Sequence, residues 1–278
     1  MAHLVTPHHD ARKLVKTLDK FLDVSGKWHE ECARKKEGML SDLWYRGVNQ
    51  AFAVQVPGVY RPKFTARADR LDTKGDIEDK RLHLERIMIS QLKTAGAPFL
   101  AAFDDIQIYM NAQHYGMPTR LLDWSTNPLA ALFFACEGED NQDGFVYAMD
   151  AALIIPADAK KPDGNRLHRS VMTTRNPYVQ RAIAVSFWGD LEKKWNPYIL
   201  PVRPDAIPGR IGQQSSCFTF HMYRASPVEN PTSITIRIDK DSKGSILKEL
   251  HRVNINQFTT YYDLDHLSKE MKRGWECD

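Results

Sequence analysis

Apolar and polar positions alternate with different periods along this chain, and the periods divide it into elements. Over residues 11–35, Leu14, Val15, Leu18, Phe21, Leu22 and Trp28 recur at helical intervals, with Lys13, Lys16, Lys20, Lys27 and Arg34 on the other face. That spacing predicts an amphipathic helix with a solvated basic side. Residues 43–48 read as a short aromatic strand with Arg46 and Gly47 set into it. Residues 49–73 hold Pro57, Gly58 and Pro62 and no sustained period, which predicts a loop. Within it, residues 59–64 are candidates to lie across a cleft. Helical spacing returns over 76–94, and a second helix is expected over 101–112 after Pro98.

Leu121 and Leu122 suggest a short buried strand. Pro128 then stands at a plausible first helical position, behind Ser125, Thr126 or Asn127 as cap. Residues 129–136 are apolar on nearly every side, the mark of a buried helix. Residues 144–149 read as a buried strand, followed by the apolar run 153–155, so 121–149 is strand, helix, strand. Residues 156–176 are the most basic stretch, with Lys160, Lys161, Arg166, His168, Arg169 and Arg175, and are expected as an exposed excursion. Strands are expected at 183–188, 198–202, 217–220 and 233–238, a loop at 209–216, a helix at 243–252, and a segment at 259–272 that packs back on the core.

Composition changes this picture little. At 42% hydrophobic and 26% charged residues in 278, the chain is ordinary for a globular protein of one large domain or two small ones. A formal charge of +3 permits a nucleic-acid or dinucleotide partner without demanding one. No apolar run has membrane-span length, and the N-terminus lacks a signal-peptide pattern, so no membrane partner is expected. Cys32, Cys136, Cys217 and Cys277 show neither metal-ligand nor disulfide-scaffold spacing, which suggests a reducing, cytoplasmic setting. No metal site is expected.

The chemistry concentrates in residues 112–136. Gln113, His114, Tyr115, Thr119, Arg120, Asp123, Trp124, Ser125 and Thr126 lie together just before a helix start, where an anionic ligand is readily held. A well-capped buried helix behind a polar turn would need few of these polar residues. Arg46 inside an aromatic strand must either pair with a structural carboxylate or face a cleft and hold an anion. Gly47 beside it suggests a close backbone approach or a bulge. Arg120 and Asp123 are expected to pair with each other or to serve a ligand, and Trp124 to anchor core or stack on a ring. Cys217, among small polar residues, is a weak nucleophile candidate.

The run Trp44-Tyr45-Arg46-Gly47, then Gln113-His114-Tyr115-Gly116-Met117-Pro118-Thr119-Arg120-Leu121-Leu122-Asp123-Trp124-Ser125-Thr126, then Leu132-Phe133-Phe134-Ala135, then Gly144-Phe145-Val146-Tyr147, closely resembles the FRG domain. That family is named for a Phe-Arg-Gly motif, which here is Tyr45-Arg46-Gly47. Arg210, Gln213-Gln214 and Phe218-Thr219 look like its later motif, and residues 261–272 like its C-terminal end. The resemblance implies an α+β fold with mixed, mostly antiparallel sheets over 41–278, preceded by a helical N-terminal region over 1–40. It also implies a setting in bacterial or phage conflict, as a toxin or in phage defence.

A looser resemblance is to ADP-ribosyltransferases, which carry an Arg-Gly, then a Ser/Thr strand, then a third polar or acidic element. Here these are Arg46-Gly47, Trp124-Ser125-Thr126 and Gln213-Gln214. This resemblance implies NAD as co-substrate, bound by Tyr45, Arg46, Gly47, Tyr115, Trp124, Ser125 and Thr126. His114, Arg120, Asp123, Gln213 and Gln214 are then implied in catalysis, and the acceptor is sought among DNA, RNA and proteins. The third element is usually a glutamate, so Gln213 or Gln214 departs from the pattern, and Glu85 or Asp123 is left to supply the carboxylate. Two other readings stay open: a nuclease-like enzyme using His114, Asp123 and a metal, and a non-catalytic nucleotide-binding module.

Overall fold

A computed structural model of the chain describes residues 14–35, 42–50, 55–138, 141–161, 164–188, 199–205, 215–221, 233–261 and 263–276. It is an α+β structure built on one mixed sheet of eight strands. In chain order the strands are β1 (Leu14–Val15), β2 (Leu43–Val48), β3 (Leu121–Ser125), β4 (Gly144–Asp150), β5 (Met172–Thr173), β6 (Ile199–Arg203), β7 (Ser216–His221) and β8 (Ile234–Ile238). Their order across the sheet is β1-β8-β4-β2-β3-β7-β6-β5. Every internal pairing is antiparallel, and only the two edge strands run parallel to their neighbours.

Among the described residues the helices are α1 (Leu18–Lys35), α2 (Pro62–Asp69), α3 (Ile77–Ala95), α4 (Ala97–Leu100), α5 (Asp105–His114), α6 (Pro128–Cys136), α7 (Pro177–Trp188), α8 (Lys243–Arg252), α9 (Gln257–Tyr261) and α10 (Leu264–Glu276). Their ends follow local chemistry. Asp76 caps α3 by accepting from the backbone N–H of Glu78 and Asp79, while Asp79 answers the Asp76 N–H. Of the three cap candidates before Pro128, Asn127 takes the role, its Oδ1 accepting from Leu129 N at 2.9 Å.

Side-chain alternation sorts the core. Tyr45, Val146, Ala148, Ile236 and Ile238 face one side, where α1, α6 and α8 pack on them with Phe21, Trp28, Leu132, Ile246 and Leu250. On the same side but over the other half of the sheet, Leu121, Phe218 and Phe220 meet Ile89, Met110, Val179 and Ile183 from α3, α5 and α7. Trp44, Leu122, Trp124 and Met149 form a smaller cluster on the opposite face.

Three expectations are corrected. Residues 62–69, read as loop, form α2; its eight residues are too few to show a period, and Pro62 at the first helical position was the usable signal. Residues 183–188, read as strand, belong to helix α7, because a short apolar run fits a buried helix as well as a strand. The apolar run 153–155 falls at the end of a turn of 3₁₀ helix, Ala151–Ile154, and just after it. The excursion over 156–176 is only partly exposed, since Ala159, Leu167 and Met172 are buried in the core. Residues 14–35 give an edge strand and then the expected helix.

Gly47 supports the arrangement by having no side chain. A Cβ there would stand 1.8 Å from the carbonyl oxygen of Ala131, and one on Gly144 would stand 2.0 Å from that of Ala135. The main chain of α6 therefore rests directly on β2 and β4. Gly47→Ala is expected to lower stability by about 3 kcal/mol or more, at or above the usual range for overpacking. Gly26→Ala, in the middle of α1 with nothing within 4 Å of the new methyl, is expected to raise it by about 0.5–1 kcal/mol. Urea denaturation of the two variants reads both signs.

Candidate functional site

β2 lies between β4 and β3, and the two sides differ. Against β4 it is paired along its whole length, from Leu43–Asp150 to Val48–Phe145. Against β3 the register holds at one position, Tyr45–Ser125. Beyond it, toward Gly47 on one strand and Asp123 on the other, the ladder stops and a hollow of about 290 Å³ opens. Its walls are Tyr45, Arg46, Gly47, Gln113, His114, Asp123, Trp124, Ser125, Ala131, Phe134 and Ser216. Alternation sends Arg46 and Trp124 to one face of the sheet and Tyr45, Asp123 and Ser125 to the other, so both faces contribute to the opening.

Arg46 occupies the parting. Its Nη1 donates to the backbone oxygen of Asp123 at 2.8 Å, and its Nε donates to Gln55 Oε1 at 2.8 Å. A side chain thus satisfies a carbonyl that a paired strand would otherwise have used. Burial pushes the Arg46 pKa down from the usual arginine value, and the negative charge of Asp123 opposes that shift. Asp123 turns its carboxylate into the hollow, where Gln113 Nε2 donates to Oδ2 at 2.7 Å. Gln113 is held in turn by Thr119 Oγ1, which donates to its Oε1 at 2.6 Å. Surrounding protein raises the Asp123 carboxyl pKa above the ordinary range, and Arg46 and the Gln113 bond only partly offset this. The arrangement sets a guanidinium and a carboxylate around a space walled by Trp124 and Phe134, which suits a ligand carrying phosphate, hydroxyls and a flat ring.

Residues 41–144 match the family model of the FRG domain. This chain carries an FRG domain. The matched FRG region supplies every wall residue of the hollow except Ser216. The likeness to the family's later motif lies outside the matched FRG residues. No curated protein and no solved structure matches the chain. No helix among the described residues is long and apolar enough to cross a membrane. Among those residues no group of three or more His, Cys, Asp and Glu is placed to hold a metal ion.

The candidates read from the sequence fall into groups. Arg46, Gly47, His114, Asp123, Trp124 and Ser125 share the hollow of the FRG region. Tyr45 contributes to its wall, but its ring packs edge-on against Trp28 with centroids 5.8 Å apart, and its hydroxyl meets His29 Nε2. Trp124 is buried with its indole N–H donated to Thr219 Oγ1 at 3.1 Å, so it forms a fixed wall. Tyr115 is 78% exposed and lies outside the lining, packed edge-on against His114. Thr126 N donates to Ser215 O at 3.1 Å, closing the end of the β3–β7 ladder. Gln213, Gln214 and Arg210 lie outside the described residues. Cys217 is fully buried, and desolvation raises its thiol pKa well above the ordinary value.

Arg120 is the clearest correction, because it pairs with Glu85 and not with Asp123. Its Nε donates to Glu85 Oε2 at 2.9 Å, its backbone N–H reaches Glu85 Oε1 at 3.1 Å and Tyr109 Oη at 2.9 Å, and Tyr109 donates to Glu85 at 2.5 Å. Both charged side chains are almost fully buried. Burial works against the Arg120 charge, but Glu85 and the two tyrosines nearby raise its pKa overall. Glu85 is likewise committed here and is not in the hollow. Phe134, Ala131 and Ser216 of the lining, and Gln55 behind Arg46, have no role in the sequence reading, and Gln113 is noted there without one. Gln113 stood in the polar run, whereas nothing local marked Gln55 or Phe134.

Thr219 and His221 back the Trp124 wall. The Thr219 hydroxyl accepts from the indole and shares a hydrogen bond with His221 Nε2 at 3.1 Å. His221 is fully buried, and burial pushes its pKa down to about 3. A histidine whose pKa is lowered by folding takes up its proton more readily when unfolded. Stability is therefore expected to fall as pH drops below about 6.5 toward 3, and His221→Gln should flatten that part of a pH–Tm curve. For Arg120, Arg120→Met strands the Glu85 carboxylate and is expected to cost about 3–5 kcal/mol in denaturant unfolding. An unchanged midpoint would overturn the structural role assigned to Arg120.

Proposed function

We propose that the hollow binds NAD and breaks its nicotinamide–ribose bond, giving ADP-ribosyl transfer or NAD hydrolysis. The observation that supports this most is a convergence. Arg46-Gly47, Ser125 and Ser216 lie on three strands that are neighbours in the sheet, β2, β3 and β7, and all line one hollow. Ser125 and Ser216 are register partners. Two of the three segments that the ADP-ribosyltransferase resemblance calls for, Arg46-Gly47 and Trp124-Ser125, thus meet at one hollow, and the third, Gln213-Gln214, lies outside the described residues.

The chemistry assigns roles. Bond cleavage sends the electron pair to the ring nitrogen, so nicotinamide leaves neutral and C1′ becomes an oxocarbenium-like cation, as in glycoside hydrolysis. Asp123 is the carboxylate placed to stabilise that cation, and Gln113 holds it in position. This answers the neutral Gln213-Gln214, which cannot supply the charge. The N–H groups of Arg46 that are not spent on Gln55 and Asp123 are available to a diphosphate. Phe134 and Trp124 flank the space for the nicotinamide. His114 takes the proton of the incoming water or acceptor as its oxygen bonds to C1′. At about 290 Å³ the hollow is at the small end of ligand sites, room for the nicotinamide riboside half, with the adenosine end toward the mouth.

Incubation with NAD, alone and with DNA, RNA or a cell extract, should release nicotinamide measurable by chromatography. Arg46→Ala should abolish it, and Asp123→Asn should reduce it by about 100-fold or more. Absence of nicotinamide under every condition would overturn the proposal and leave a nucleotide-binding module. The Asp123 variant carries a second expectation. A carboxyl whose pKa is raised by folding loses stability as pH climbs through that raised value. Asp123→Asn should therefore keep or raise Tm at neutral pH while activity falls.

A further inference from the structure

We infer that the solvent face of α2 is a track for nucleic-acid phosphates leading to the mouth of the hollow, so that a nucleic-acid strand is the acceptor in the reaction proposed above. The acceptor role rests on that reaction; the track does not. Residues 61–70 hold Arg61, Lys63, Arg67 and Arg70 against a single carboxylate, Asp69. That local excess of three equals the formal excess of the whole chain. All four cations are exposed. Lys63, Arg67 and Arg70, spaced i, i+4 and i+7, share one side of the helix, opposite the buried Phe64 and Ala68. The one carboxylate is turned elsewhere, toward Lys80 of α3 at 3.9 Å. The adjacent Arg81 is taken by Glu78 and Thr65. Among the described residues no ion pair engages any of the four.

The start of α2 is fastened to the wall of the hollow. Val59 N donates to Thr119 O at 3.3 Å, and Thr119 holds Gln113, which holds Asp123. Gly58 sits so close that a Cβ on it would be 2.7 Å from Pro118 Cα. Tyr60 Oη donates to the backbone oxygen of His221 at 3.1 Å. Arg61 follows directly on this anchored turn. Burial is the main influence on the ionisation of Arg46 and of Asp123; the positive field of Arg61 adds to it at Arg46 and opposes it at Asp123, lowering both pKa values. Arg61 thus joins the stripe to the hollow. From Lys63 to Arg70 the helix rises about 10 Å, the reach of about three phosphates at 3.4 Å along a duplex strand. A stripe of exposed cations on one short helix fits a salt-sensitive contact to the phosphate backbone.

The test is fluorescence anisotropy of the full chain with a labelled single-stranded DNA oligonucleotide of mixed sequence, without NAD, over a salt series. The Lys63→Gln, Arg67→Gln, Arg70→Gln triple variant should bind about tenfold or more weakly, and its slope of log affinity against log salt should be shallower by about 2. The charge-matched triple Lys16→Gln, Lys20→Gln, Lys27→Gln, on α1 and the residues just before it, should bind like the wild type. Equal binding by the two triples overturns the track. So does equally tight binding of polyglutamate by the wild type, which would point to an acidic protein. Nicotinamide release without oligonucleotide should be the same in the α2 triple and the wild type. Loss of the track therefore leaves NAD cleavage measurable, and failure of NAD cleavage leaves the anisotropy result standing.

Discussion

The site depends on an interrupted strand pairing. β2 is fully paired on one side, yet on the other it touches β3 only through Tyr45 and Ser125. An open ladder inside a sheet leaves carbonyls and amides that must find partners. Arg46 supplies one, since its guanidinium reaches across to the Asp123 oxygen. The same residue that permits the gap also carries the charge within it. A shorter or neutral side chain would leave either a closed ladder with no hollow or an unsatisfied carbonyl beside one.

Two other features hold the gap open at a fixed size. Above it, α6 rests on Gly47 and Gly144 with main chain against main chain, so no side chain sets its height over the sheet. Beside it, Glu85 of α3, Tyr109 of α5 and Arg120 at the head of β3 form one buried knot. That knot fixes where α5 ends, and therefore where Gln113 and His114 stand. A buried ion pair contributes little net stability compared with an apolar replacement, but its loss on one side is costly. Here it serves to fix position.

The sequence disclosed those parts whose causes are local. α3, α8 and β8 show their periods openly, and the unit β3–α6–β4 is announced by Pro128 and an apolar run. The end of α7 also reads as strand because a six-residue run, apolar but for Ser186, fits a buried helix and a strand equally. α2 was missed because eight residues do not establish a period. For the site, the residue types in 113–125 and Arg46-Gly47 were visible, and their convergence could be posed only as a question of geometry. Arg120 lies three positions before Asp123, and that proximity suggested a pair. The strand's alternation and a glutamate 35 residues upstream decide otherwise. Gln55 had no marker, because its only relevance is a contact made across the fold.

The sheet's margins have a consequence of their own. Both outermost strands are two residues long, and each runs parallel to its neighbour. Long exposed margins act as templates on which other molecules extend a sheet, and natural proteins blunt them by shortening. A broad sheet that ends this abruptly offers few consecutive amides for such growth. Among the described residues, strand addition at these two short edges is thereby disfavoured.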